Sequence, residues 1–204
     1  MLEIGSGTGG FAAEFCKRLP QTSFLGVDLS CAGVNLSARR VPAARFIQRD
    51  LLQSARPEQR LAFGATHALC SEVLEHLDDP GLLLRHAAEY MAPGCKLVVT
   101  VPGGRRNAFD RHIGHRRHYT PGQLSVLLET AGFAVGQSFA AGFPFFNLYR
   151  ALTTLRGRRL IQDVSGPPGW LVRGGGVVFG ALFHCTLMHP WGWQTVAVAR
   201  YRGW

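Results

Sequence analysis

Lysine is almost missing from this 204-residue sequence: only two of its 22 basic residues are lysine and the other twenty are arginine. Such a bias fits phosphate recognition, and it equally fits a skewed genomic base composition. Charged residues of both signs make up only 17 %, against 47 % apolar, which argues against a disordered chain or a coiled coil. Cysteines number five, an odd count without C-x-x-C spacing, so neither a disulfide scaffold nor a zinc ribbon is expected. Scattered reduced thiols of that kind suit a cytoplasmic protein. The N-terminus has no basic stretch followed by an apolar core, so a secretory signal is not expected. No apolar run reaches the roughly twenty residues of a membrane-spanning helix, and there is no internal repeat.

What is present suits one domain with a sizeable core. Its net charge of +9 is unevenly placed: residues 1–80 carry eight basic against nine acidic side chains, residues 81–204 fourteen against four. An anionic partner would therefore meet the second half.

Through residue 101, short apolar runs alternate with helical patterns. Strands are expected at 1–4, 23–27, 45–48, 67–70 and 96–101, and helices at 10–19, 30–40 and 80–91. The strands are unbroken apolar runs without period-two alternation, the pattern of a parallel sheet covered on both faces. A polar, basic loop spans 103–118. Thr120 then reads as a helix N-cap followed by Pro121, with Gly132 ending that helix. Two further strands are expected at 133–139 and 195–201. Between them, 142–192 forms an insert too long for a hairpin.

Glu3-Ile4-Gly5-Ser6-Gly7-Thr8-Gly9-Gly10 is a strand, a glycine turn and a helix start. The spacing also fits G-x-G-x-x-G, so taken alone it permits a dinucleotide site and an NAD(P)-dependent oxidoreductase. Glu3 tips the balance, since a carboxylate just before the loop repels a pyrophosphate and holds a cation. Acidic residues also recur at successive strand ends: Asp28, Asp50 and Glu72. One alone reads as a solvated loop carboxylate. Four in register converge on the crevice of an open α/β sheet, with Asp28 placed for ribose hydroxyls and Asp50 for an adenine amine.

With M-L-E-I-G-S-G-T-G, G-V-D-L-S, R-D-L-L, S-E-V-L-E-H-L and L-V-V-T-V-P, residues 1–140 resemble the class I S-adenosylmethionine-dependent methyltransferases, most of all the small-molecule and quinone branch. The resemblance implies an α/β, Rossmann-like fold: a seven-stranded, mostly parallel sheet of order 3-2-1-4-5-7-6 with strand seven antiparallel, helices on both faces and a helical insert between strands six and seven. It implies one domain over 1–204, made of a cofactor core (1–140), an apolar and basic insert (142–192) and a last strand (193–204). The usual N-terminal cap is not evident, which leaves a non-catalytic binding module as an alternative. S-adenosylmethionine is the cofactor implied, met by Glu3, Gly5, Gly7 and Gly9, by Asp28 and Leu29, by Asp50 and Leu51, and by Ser71. The activity implied is methyl transfer to an oxygen, or alternatively a carbon, of a small acceptor.

Glu72-Val73-Leu74-Glu75-His76 and the later His112-Ile113-Gly114-His115-Arg116-Arg117-His118 would border one cleft if strands four and five are neighbours. His76 and His115 are the candidate general bases, or positioning groups. E-x-x-E-H with a later histidine is also similar to metal-assisted O-methyltransferases, which would make Glu72, Glu75, His76 and His115 ligands of a divalent metal. His112 and His118 read as surface residues, and Arg116 and Arg117 as solvated charge. The insert begins with Phe143-Pro144-Phe145-Phe146 and a basic helix expected at 150–160. Its most apolar part, 177–188, is too short to span a membrane. It suits a lid or dimer helix and an apolar or lipid-like acceptor, and it leaves peripheral contact through 143–190 with the inner membrane face open. Nucleic acid is not an expected partner, because no aromatic-rich recognition module accompanies the charge.

Overall fold

The computed structural model describes residues 1–53, 63–164, 182 and 187–203, the side chains of Thr153 and of residues 156–164 apart. It is an α/β fold with one mixed sheet. In chain order the elements are β1 (Leu2–Ile4), α1 (Gly10–Arg18), β2 (Leu25–Asp28), α2 (Cys31–Arg40), β3 (Arg45–Gln48), β4 (Ala65–Ser71), α3 (Pro80–Ala87), β5 (Met91–Pro102), α4 (Ala108–His112), α5 (Pro121–Thr130), β6 (Phe133–Phe143), α6 (Phe145–Val164), β7 (Leu187–Met188) and β8 (Gln194–Tyr201). The sheet order is β3-β2-β1-β4-β5-β8-β6-β7. β1 to β5 pair in parallel, whereas β8 runs antiparallel to both β5 and β6. The expected seven-strand order therefore holds with β8 as its last strand. One correction is needed: Leu187–Met188 adds an eighth strand at the edge beyond β6. A ladder two residues long has no periodicity to read.

Several local expectations match. Thr120 and Gln123 form a reciprocal capping box with Pro121 in the first turn, and Gly132 follows in the left-handed region (φ 94°). Others need correcting. The helix expected over 80–91 ends at Ala87, a 3₁₀ turn covers Ala88–Tyr90, and Met91 already pairs with Ala65 in the sheet. The Pro-Gly pair at 93–94 reads as a turn, which hides that early pairing. The helix expected over 150–160 begins earlier, at Phe145. The apolar stretch 177–188 lies almost wholly outside the described residues, as do residues 165–181 and 183–186 of the surface expected over 143–190. Among the described residues no helix is long and apolar enough to cross a membrane.

Helices stand on both faces of the sheet, as expected. On one side Leu83 and Leu84 of α3 and Leu124 and Leu128 of α5 pack on Leu97, Val99, Val101 and Ala199 in a continuous core. On the other, His67, Leu69, Lys96 and Val98 line a cavity of about 520 Å³ together with Phe11 and Phe15 of α1. The continuous core underlies the strand ends. Each of its buried leucines contributes about 1.5–3 kcal/mol, and β1, β4 and β5 are held in register beneath the loops that follow them.

Candidate functional site

The glycine loop connects β1 to α1, and its backbone is bent by φ values that side chains rarely adopt: 75° at Gly5 and 51° at Gly7. A Cβ on Gly5 would lie 2.3 Å from Cγ2 of Val73. The loop is pinned from below, as the N–H groups of Gly5 and Ser6 both donate to the Val27 carbonyl. From the side, the Ser37 hydroxyl donates to the Gly7 carbonyl and Arg40 to that of Thr8. Helix α2 comes this close because Gly33 has no side chain; a Cβ there would sit 2.7 Å from the Gly7 oxygen. Gly33 and Ser37 are thus loop-shaping residues that sequence reasoning missed. Their only signal is small side chains at an i, i+4 spacing.

Asp28 ends β2 beside this loop. One carboxylate oxygen accepts from the Gly7 N–H (2.7 Å) and the other from the Ser30 N–H (2.8 Å). The side chain is thereby fixed at the rim of a cleft of about 360 Å³. Gly5, Gly7, Asp28, Leu29, Asp50, Leu51, Glu72 and His76 all line this cleft. The carboxylate of Asp50 is engaged locally, accepting from the Leu52 N–H and the Gln53 amide. Arg49, Val73 and Leu77 complete the apolar and basic wall, none of them singled out beforehand.

Three expected residues stand apart from that wall. Gly9 is the left-handed N-cap of α1, packed against Ser37, so its role is to start a helix. The Ser71 hydroxyl is paired with that of Thr100 at 2.8 Å. Glu3 is buried with one carboxylate oxygen unpartnered. Burial first, and then the nearby Asp28 carboxylate, push its pKa up to about 7. A buried carboxyl without a cation is costly to ionise, so Glu3 is a site into which positive charge fits.

The second constellation follows β4. Glu72 sits at φ 55°, a strained conformation for a residue with a side chain. Its Oε1 accepts from the Gln194 amide at 2.7 Å and the Thr100 hydroxyl at 3.5 Å. Neither partner had a sequence signal, since both come from strands far away in the chain. Glu75, in the 3₁₀ turn Leu74–His76, is completely buried and neither of its carboxylate oxygens accepts a hydrogen bond. Burial first, with the neighbouring Glu72 carboxylate second, raises its pKa well above the usual range.

The histidines order themselves through their tautomers. His118 Nδ1 lies 3.2 Å from the Gly104 carbonyl, so it carries the hydrogen. In the neutral ring Nε2 is then an acceptor, and it meets Nδ1 of His115 at 3.1 Å, which must donate. The remaining nitrogen of His115, Nε2, is left with a lone pair facing Glu75 Oε1 at 4.0 Å. Burial and the neighbouring His76 lower the pKa of His115 to about 4, so the ring is neutral around pH 7. His76 stands edge-on to His115, with ring centroids 4.8 Å apart. His118 is thus a correction to the surface reading: its side chain is 4 % exposed, whereas His112 is exposed as expected.

Asp110 was not foreseen either. It is fully buried and takes both terminal nitrogens of Arg150, at 2.6 and 2.8 Å, plus the Asn107 N–H. Burial alone would raise its pKa, but the hydrogen bonds from Arg150 and Asn107 hold it below the usual range. Its only sequence signal is the Asn107-x-x-Asp110 capping box of a five-residue helix. Arg116, read as solvated charge, instead pairs with Asp78 and donates through Nε to the His76 carbonyl, while Arg117 donates to the Asp78 carbonyl. These bonds clamp the histidine loop onto the turn after β4.

For a divalent metal, the structure brings together Glu75, His76 and His115, with one ligand atom from each within 4.8 Å of the others. Glu72, the fourth expected ligand, lies outside that group, and its Oε1 accepts from Gln194 and Thr100. The orphaned oxygens of Glu75 and the lone pair of His115 fit a cation. A second group, Asp110, His115 and His118, does not fit, because Arg150 and Asn107 already occupy both Asp110 oxygens.

Comparison with known proteins adds a family to this geometry. A family model described as a methyltransferase domain matches residues 1–138. A trans-aconitate 2-methyltransferase of Deinococcus radiodurans is 31 % identical over 112 residues, 54 % of this chain and 41 % of that protein. One of the same description from Paracidovorax citrulli is 27 % identical over 111 residues, 54 % of this chain and 42 % of its own length. These matches therefore span less than half of the relatives' length. Among solved structures, a putative methyltransferase of Bacillus halodurans superposes with TM-score 0.62 at 16 % identity, covering 99 % of this chain and 92 % of that one. The [4+2]-cyclase SpnF gives 0.65 at 20 %, covering 98 % and 73 %. At such identities the structures speak for the fold, and the cyclase shows that it carries more than one chemistry.

Proposed function

The chain belongs to the methyltransferase-domain family, and on that premise we propose that it moves a methyl group from S-adenosylmethionine to an oxygen, or alternatively a carbon, of a small-molecule acceptor. The observation that carries this reading is the pairing of Glu3 and Asp28 about the glycine loop. A buried, cation-less carboxyl lies before the loop, and a second carboxylate is fixed at its rim by the Gly7 and Ser30 N–H groups. A dinucleotide pyrophosphate in that place would face the Asp28 carboxylate, with the Glu3 carboxyl buried behind it. This negative charge would suit a sulfonium compound with a ribose. Gly5, Gly7, Leu29, Asp50 and Leu51 line the same cleft as Asp28.

The donor supplies a carbon already bonded to a positive sulfur. The new bond forms as the carbon–sulfur bond breaks, and charge cancels. Alignment and exclusion of water therefore account for much of the rate. A hydroxyl acceptor must also lose a proton, and His76 is the better placed of the two candidate bases because it lines the cleft. His115 turns its lone pair to Glu75 and orients His76 edge-on. Glu75, His76 and His115 would hold a divalent metal, which would supply Lewis acidity toward the acceptor oxygen. The orphaned carboxylate of Glu75 favours this addition.

The curated relatives are named for trans-aconitate, which supports a small-molecule acceptor over nucleic acid and over the apolar or lipid-like one expected from the insert. Transfer of labelled methyl from S-adenosylmethionine to a panel of carboxylate-bearing and phenolic acceptors tests the reading. Turnover that falls strongly in His76→Ala supports it, and no transfer to any acceptor despite donor binding contradicts it. Full activity in excess chelator would remove the metal alone.

A further inference from the structure

Beyond the histidine cluster lies a second cavity, of about 610 Å³, bordered by Arg105, Arg106, Phe109, Arg150, Thr154 and Trp193. That volume is typical of a small-ligand site, roughly 300–1,000 Å³. Its charge is lopsided. Arg150 is neutralised by Asp110, which holds both of its terminal nitrogens. Arg106 uses one nitrogen on the His115 carbonyl at 2.9 Å and meets no carboxylate among the described residues. Arg105 has no partner of any kind among the described residues. Two adjacent guanidinium groups thus stand uncompensated at a concave surface whose described lining holds no acidic side chain. The planar fork of arginine matches a carboxylate with two parallel N–H···O bonds. Phe109 and the indole of Trp193 give the cavity an apolar wall for a short carbon skeleton.

The cavity also shares its framework with the cleft. The Gly104 carbonyl on its border receives the His118 hydrogen, Arg106 holds the His115 carbonyl, and Gln194, next to Trp193, donates to Glu72 of the cleft wall.

We propose that this arginine cavity is a binding subsite for the carboxylate groups of a small polycarboxylate acceptor. The inference rests on the methyl-transfer reading and names its substrate class. The test is calorimetry of the whole chain with citrate as probe, beside its neutral trimethyl ester, inorganic phosphate and S-adenosylhomocysteine. Citrate binds and the ester does not. Arg105→Ala, which breaks no contact among the described residues, weakens citrate by about tenfold or more, as expected for a lost charge-assisted fork. Arg105→Ala with Arg106→Ala weakens it further. A control, Lys17→Ala with Arg18→Ala, removes the same charge from α1 and leaves citrate unchanged. Binding of S-adenosylhomocysteine is untouched in all three. Citrate failing to bind while S-adenosylhomocysteine binds overturns the subsite alone, as does an unaffected Arg105→Ala, an equal loss in the control, or phosphate binding as tightly as citrate. Loss of S-adenosylhomocysteine binding from the unmodified chain overturns the methyl-transfer reading itself.

Discussion

Glu3 is a carboxyl whose surroundings favour its protonated form. Its pKa lies near 7 in the fold and near 4.3 in an unfolded chain. Unfolding therefore releases a proton between those values, so this group lowers stability as pH rises through the window, and the full penalty is present above pH 7. Glu3→Gln removes the penalty. Thermal or urea unfolding is expected to show equal stability at pH 4, with the variant ahead by about 1–3 kcal/mol at pH 8. A difference that does not grow between pH 4.5 and 7 contradicts the burial assigned to Glu3. The carboxylates Asp28, Asp50 and Glu72 were legible in the sequence because each falls within two residues of the end of an expected strand. Asp110 and Gln194 were not, because their importance comes from partners 40 and 122 residues away.

At the scale of elements, the glycine loop separates two uses of the same residue. Gly5 and Gly7 both occupy left-handed backbone, where a side chain costs roughly 1–2 kcal/mol. Only Gly5 also faces a wall, with Val73 Cγ2 2.3 Å from the position of a Cβ, while nothing lies within 4 Å at Gly7. Gly5→Ala should thus lose about 1–3 kcal/mol more than Gly7→Ala in chemical denaturation, the usual cost of overpacking. Equal losses would mean that the loop and the turn after β4 are not packed together. The tie between α4 and α6 makes a second case. Asp110→Asn leaves Arg150 buried without its counter-charge, and removing one partner of such a pair costs about 3–5 kcal/mol. A melting temperature within a degree of the parent would contradict that packing. The element boundaries that misled the sequence reading share a cause. Met91 joins the sheet across a proline and a glycine, and Leu187–Met188 pairs over two residues. Tertiary pairing decides both, and local pattern does not.

Across the whole molecule, charge and site divide the same way. The half with net −1 carries the glycine loop, Asp28 and Asp50, and the half with net +10 carries the histidine loop and the arginine cavity. A donor with positive sulfur and an acceptor with negative groups would be drawn to opposite sides of one framework. The sheet order and the glycine-loop cleft were readable because they rest on strands, turns and their end residues. The arginine cavity was not, since it is assembled from the basic loop, α6 and the segment before β8, which meet only in three dimensions.

Calorimetry with S-adenosylhomocysteine and with NADH, on the unmodified chain and on Asp28→Ala, tests the central claim most directly. The account predicts saturable binding of S-adenosylhomocysteine, weakened about tenfold or more in Asp28→Ala through loss of a charge-assisted contact, and no measurable heat with NADH. Tight binding of NADH in place of S-adenosylhomocysteine, or an unchanged dissociation constant in Asp28→Ala, would contradict it.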